Sequence, residues 1–249
     1  MIFSLPFLPS PALRLSPPPM NYVFPPAAPV TVPVTGGGNF PVRRIYCVGR
    51  NYADHAVEMG YTGREPPFFF MKPADAIVAV AEGETGTIAY PPLTKNFHHE
   101  IELVVAIGTG GANISAADAP KHIWGYAVGL DMTRRDLQND MKKQGRPWCI
   151  GKGFDQSAPI GPLTPYAQTG ELLEGAITIA VNGTLKQKGD LKELIWSVNE
   201  TIEQLSAAWT LQPGDLIFTG TPAGVAAVVA GDVMEGAIAG LGTLKVAVK

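Results

Sequence analysis

The sequence predicts an α+β protein built on mixed β-sheets, and three observations carry that reading. Short runs of β-branched and aromatic residues recur between turn residues, with 28 glycines and 23 prolines among 249 residues. Segments with helical spacing are few and far apart. No strand–GxGxxG–helix unit occurs, which argues against a dinucleotide-binding fold. Many strands with segregated helices are the α+β pattern.

Taken in order, residues 1–19 predict a disordered leader. The stretch "MIFSLPFLPSPALRLSPPPM" lacks the basic start of a signal peptide, and prolines interrupt its apolar part. Met20 is a candidate natural start. Residues 20–43 form an N-terminal extension whose alternating valines suit one edge strand. The main domain runs over 44–249. It opens with a buried strand, "RIYCVG" (44–49), then a short helix over 50–60 closed by Gly60. "PPFFFMKP" (66–73) is a strand fenced by prolines, followed by strands in "TIAYPP" and over 100–107. "AADAPKHI" predicts a short helix, "WGYAVGLD" (124–131) a strand and "RRDLQNDMKKQG" (134–145) a helix. Asn182-Gly183 marks a hairpin within "AITIAVNGTLKQKGD". Residues 191–211 predict the longest helical region, "PGDLIFTGTP" a turn, strand and loop, and "GTLKVAVK" a last strand.

Composition narrows the function. Charged residues make up 16% and hydrophobic ones 46%, ordinary for a globular chain. A net charge of −3 offers no basic nucleic-acid footprint. No apolar run reaches the length of a membrane-spanning helix. Cys47 and Cys149 lie far apart without a CxxC, so neither a zinc knuckle nor a disulfide framework is indicated, and a reducing, intracellular setting fits.

The chemistry begins at "HHEIELVVAIG" (98–108). Positions i and i+2 of a strand share a face, so Glu100 and Glu102 project side by side where the apolar run starts. Two like charges at that distance call for a cation. Asp131, ending the strand "YAVGL", is the best third ligand. Three carboxylates without a cysteine favour Mg2+ or Mn2+ and leave coordination positions for water and substrate. A salt-bridge network with nearby arginines is the other reading of the same spacing.

His55 and Glu58 lie at i, i+3, on one helical face, where the carboxylate would raise the imidazole's basicity for activating water. Such pairs also occur as solvated surface contacts. Arg135 and Gln138 share a face of the helix after Asp131, directed at whatever a metal there holds. Arg134, Lys142 and Lys143 read as a solvated basic face. Lys152 sits between glycines in a less polar stretch. "TGTPAG" (219–224) supplies amides and hydroxyls in a tight loop but lacks the ending of a phosphate loop.

Together these stretches resemble the fumarylacetoacetate hydrolase family. The matching blocks are "YCVGRNYADHAVEMG", "PPFFFMKP", "NFHHEIELVVAIG", "GYAVGLDMTRRDLQ", "RPWCIGKGFDQSAPIGP", "VNGTLKQKG" and "LQPGDLIFTGTPAGV", in family order over roughly 44–248. The resemblance implies a mixed β-sheet roll with a few peripheral helices, usually a homodimer. It places the family's metal ligands on Glu100, Glu102 and Asp131, and its histidine–glutamate pair on His55 and Glu58. Substrate contacts fall on Arg135, Gln138, Lys152, Thr221 and Lys72. With no extra N-terminal domain or further acidic ligand, the chain looks like the short, acylpyruvase-type branch. The implied reaction is metal-dependent hydrolysis of a carbon–carbon bond in a 2,4-dioxo acid, with Lys152 stabilising the charge that develops. A cytoplasmic enzyme of aromatic catabolism is the expected setting. Oxaloacetate decarboxylation and isomerisation of unsaturated 2-oxo diacids are the alternatives on the same site, and a non-catalytic protein stapled by its cation is the alternative from another class.

Overall fold

Period-2 patterning, with turn residues between the runs, folds this chain into mixed sheets. The computed structural model describes residues 21–53 and 64–249. The first strands are β1 (Thr31–Pro33), β2 (Asn39–Pro41), β3 (Ile45–Gly49), β4 (Phe68–Lys72), β5 (Ile77–Ala79) and β6 (Thr85–Ile88). Then follow β7 (Phe97–His99), β8 (Ile101–Ile107), β9 (Ile123–Leu130), β10 (Thr133–Arg134), β11 (Ala158–Ile160) and β12 (Thr164–Pro165). The last are β13 (Ala176–Val181), β14 (Thr184–Asp190), β15 (Leu216–Phe218), β16 (Ala226–Val228), β17 (Val233–Ile238) and β18 (Gly242–Val248). The α-helices among the described residues are α1 (Arg135–Lys143), α2 (Cys149–Lys152), α3 (Tyr166–Thr169) and α4 (Val198–Ala208).

The largest sheet runs β4-β3-β15-β8-β9-β11-β5, with β12 also paired to β9. Its β15–β3 and β11–β5 pairs are parallel and the others antiparallel. A second sheet runs β14-β13-β17-β18-β6, and a third, β10-β7-β16, is wholly antiparallel. The valine-rich extension forms the hairpin β1–β2. No helix among the described residues is long and apolar enough to cross a membrane.

Every residue of β8 is buried, because both faces of its sheet are covered. Ile101, Leu103 and Val105 point into a core shared with Ile177 and Ile179 of β13, Met234 of β17 and Val246 of β18. Val104 and Ala106 point the other way, toward Phe218, Ile160, and Val32 and Phe40 of the N-terminal hairpin. Each fully buried side chain of this size stabilises by about 1.5–3 kcal/mol. Glu102 belongs to the second face but lies at the strand's open end, where the apolar filling stops.

Several expectations changed on folding. The predicted strand 100–107 starts one residue later, at Ile101. The 191–211 region is not one helix: a 3-10 turn at Leu191–Glu193 and an extended link precede α4. Two capping boxes explain the split, one from Asp190 with Glu193 and one from Ser197 with Glu200. Arg134 is buried rather than solvated, its guanidinium 4.3 Å from the centre of the Phe154 ring, where cation–π attraction offsets lost hydration. The predicted helix over 50–60 and the leader 1–19 fall almost wholly outside the described residues.

Candidate active site

The cleft is built where the antiparallel β8–β9 pairing passes into that of β7 and β10. Antiparallel register sets Ile101 opposite Leu130 and Glu102 opposite Gly129. One step further, the Asp131 N–H donates to the Glu100 carbonyl at 2.9 Å. Glu100 and Asp131 are therefore cross-strand neighbours, with Glu102 diagonal to them on the same face. Glu100 is the joint at which the chain leaves β7 of one sheet and enters β8 of another. One carboxylate oxygen from each of Glu100, Glu102 and Asp131 lies within 4.8 Å of the other two, and all three residues are buried.

Compensating charge comes from three cations among the described residues, Lys152, Arg135 and Lys72. The Lys152 ammonium donates to Glu100 Oε2 at 2.8 Å and to Asp131 Oδ2 at 2.6 Å. Burial favours the neutral amine, but Asp131 and Glu100 outweigh it, so the Lys152 pKa is raised and the group stays charged. Arg135 bonds to Glu100 through Nη2, and its Nη1 donates to Gln138 Oε1 at 2.5 Å. The helical face expected for Arg135 and Gln138 is thus the one that lines the cleft.

Glu102 is the least compensated of the three. Its one hydrogen bond among the described residues is from the Gly220 N–H, at 2.8 Å. Burial and the neighbouring Asp131 and Glu100 push its pKa well above the usual carboxylate range, against the pull of Lys152. A hard divalent cation would relieve that repulsion, and this all-oxygen donor set suits one. The residues present therefore fit a divalent metal.

Lys72 and Thr221 lie at the edge of this arrangement. The Lys72 ammonium is fully buried, 2.8 Å from Asp131 Oδ1, and donates to the Met132 carbonyl at 3.2 Å and to the Lys152 carbonyl. It sits behind Asp131, away from the lining of the cleft. Thr221 does line the cleft, but its hydroxyl donates to the Ile101 carbonyl at 2.7 Å and accepts from Gln187 at 2.8 Å. His55 and Glu58 lie outside the described residues.

The sequence from residue 44 to 249 matches the family described as fumarylacetoacetate (FAA) hydrolase, C-terminal. The chain belongs to the fumarylacetoacetate hydrolase family. A fumarylpyruvate hydrolase of Ralstonia sp is 46% identical over 185 residues, 74% of this chain and 93% of that protein. A crystal structure of fumarylpyruvate hydrolase from Pseudomonas aeruginosa, in complex with Mn2+ and pyruvate, is 59% identical with a TM-score of 0.90. The alignment covers 92% of this chain and 99% of that one. A mitochondrial oxaloacetate decarboxylase of Dictyostelium discoideum is 40% identical over 201 residues, 81% of this chain and 91% of the relative.

Sequence reasoning missed the support behind these groups. Gln187 accepts from the Ile101 N–H at 3.2 Å, lies 2.8 Å from His99 Nδ1, and donates to Thr221 and to the Pro222 carbonyl. A glutamine in a hairpin strand reads as exposed, and its full burial comes only from long-range packing. Gly220 was legible only as part of a glycine loop. It has φ +101°, and a Cβ would approach Asn51 Cβ to 2.7 Å, so glycine is required where its amide turns toward Glu102.

Proposed function

We propose that this protein hydrolyses a carbon–carbon bond in a 2,4-dioxo acid, converting fumarylpyruvate to fumarate and pyruvate with Mg2+ or Mn2+ in gentisate-type aromatic degradation. The observation that carries the proposal is the buried cluster of Glu100, Glu102 and Asp131 with the Lys152 ammonium bridging two of the three. The similarity to fumarylpyruvate hydrolases supports the choice of substrate, and the all-oxygen ligands support the choice of metal. The cytoplasm and a homodimer complete this reading.

When bound by the three carboxylates, the cation supplies Lewis-acid polarisation of the 2-oxo acid. Arg135 and Gln138 hold the substrate's oxo-acid end. Arg135 spends three N–H donors on His98, Gln138 and Glu100, which leaves two of its five for a substrate carboxylate. His55, oriented by Glu58, takes a proton from water as that water adds to the distal carbonyl. The bond between that carbonyl carbon and the neighbouring methylene then breaks, and its electron pair leaves with pyruvate as an enolate. Lys152 stabilises the enolate charge, and the proton held by His55 returns to the methylene carbon.

A second reading rests on the oxaloacetate decarboxylase relative, 40% identical. The deciding experiment follows fumarate and pyruvate release from fumarylpyruvate with Mg2+ or Mn2+, and again after chelation. Equimolar, metal-dependent release of both products is expected. Oxaloacetate decarboxylation without fumarylpyruvate turnover would favour the second reading and remove the role given to His55.

A further inference from the structure

The cleft that the carboxylates line has a volume of only about 20 Å3, on the order of one water. The acyl part of a substrate anchored there must therefore lie outside it. A groove of about 570 Å3 adjoins the cleft and shares Arg50, Phe70 and Trp148 with it as common wall. That is the size of a small-molecule site. Its walls are largely aromatic. Trp148 meets Phe68 edge to face with ring centres 5.3 Å apart, and leans on Phe70 at 5.7 Å.

Among the described residues the charged side chains lining the groove are Arg50 and Arg146, and no carboxylate among them lines it. Such a surface, aromatic with a cationic rim, fits an unsaturated acyl chain ending in an anion. The two arginines differ in commitment. Arg50 is stacked 4.7 Å from the centre of the Phe68 ring and lies 3.8 Å from Glu65. The Arg146 side chain is exposed and makes no hydrogen bond or ion pair among the described residues. Its backbone is nevertheless fixed, since its N–H donates to the Met141 carbonyl at 2.9 Å behind the C-terminus of α1. Gly145, with φ +63°, turns the chain there. The segment that carries Arg135 and Gln138 to the cleft thus delivers Arg146 to the adjoining groove.

We infer that the aromatic groove is the acyl pocket and that Arg146 is its specificity residue, receiving the terminal carboxylate of a dicarboxylic acyl group. The inference rests on the acylpyruvate hydrolase reading above.

The test compares kcat/KM for fumarylpyruvate with that for acetylpyruvate, whose acyl group carries no charge, in wild type and in Arg146→Leu and Arg146→Lys. A charge-assisted hydrogen bond contributes about 1.5–3 kcal/mol, so Arg146→Leu should lower the fumaryl-to-acetyl preference about ten- to a hundredfold, mostly through KM. Arg146→Lys should recover part of it, since charge persists without the planar fork. An unchanged preference in Arg146→Leu overturns the assignment. A wild type that cleaves acetylpyruvate but not fumarylpyruvate overturns the pocket and leaves the hydrolase intact. A wild type that cleaves neither removes the hydrolase reading itself. A binding readout needs no turnover. Cys149 lines the groove and is exposed, whereas Cys47 is buried. Fumarate should slow alkylation of Cys149 in wild type and fail to do so in Arg146→Leu. Equal protection in both proteins would overturn the role of Arg146.

Discussion

Lys152 and Lys72 approach the same carboxylate from opposite sides, and their substitutions should fail differently. Lys152 touches Glu100 and Asp131 inside the cleft, so Lys152→Met removes the cation that faces developing charge. Loss of one such donor typically costs two to three orders of magnitude, about 100- to 1000-fold in kcat, and steady-state kinetics at saturating metal would read it. Lys72 touches Asp131 and two carbonyls behind it. Lys72→Met should weaken metal binding about 10–100-fold, as loss of a group supporting a ligand does, and titration calorimetry with Mn2+ would measure it. If metal affinity held while the substrate KM rose at saturating Mn2+, Lys72 would be the substrate contact that the family resemblance implies. Either lysine deletion also leaves a buried carboxylate undercompensated, which costs on the order of 3–5 kcal/mol of stability. Activities therefore need normalising to folded protein.

At the scale of elements, the loop after β15 is held from below by β14. Gln187 ties the loop's Thr221 and Pro222 to Ile101 at the start of β8. Gln187→Leu would leave the Ile101 N–H buried without its partner, a loss of about 1–3 kcal/mol that chemical denaturation would reveal. Ser197→Ala is the contrasting case. It removes the side-chain cap of α4, away from the cleft, and should cost about 1 kcal/mol with kcat unchanged. A fall in kcat for Ser197→Ala would show that α4 is coupled to the cleft. These two sites also show what local sequence can reveal. The strands β8 and β9, the Asn182-Gly183 hairpin and the three carboxylates were legible because period-2 patterning and turn chemistry are local, whereas the pairing of β8 with β9 was not. Ser197 and Glu200 spell a capping box, yet the apolar spacing around 194–205 masked the boundary. Arg134 and Gln187 were illegible because distant elements bury them. Neither the Phe154 ring nor the Thr221 loop is near its partner in sequence.

Across the whole molecule, the cleft concentrates like charge where the β8–β9 pair passes into the β7–β10 pair. The ligands come from the start of β8 and the end of β9, and the supporting lysines from β4 and α2. A metal that binds there is bound by the folded arrangement alone, since the unfolded chain holds these residues apart. Binding free energy then becomes folding free energy. At a metal concentration 100 times Kd the gain is about 2.7 kcal/mol. For a chain of this length each kcal/mol moves Tm by roughly 2–4 °C, so Mn2+ should raise the melting temperature by about 5–10 °C over chelated protein. Glu102→Gln separates the two contributions in that shift. It removes the charge that Asp131 and Glu100 oppose, so the chelated variant should melt no lower than chelated wild type. It also removes a ligand charge, so the Mn2+ response should shrink or vanish. Scanning calorimetry of both proteins, with and without Mn2+, gives the four melting temperatures. An equal Mn2+ shift in wild type and variant would place the bound cation elsewhere, and no shift in wild type would leave Lys152, Arg135 and Lys72 as the counter-charges of the cluster.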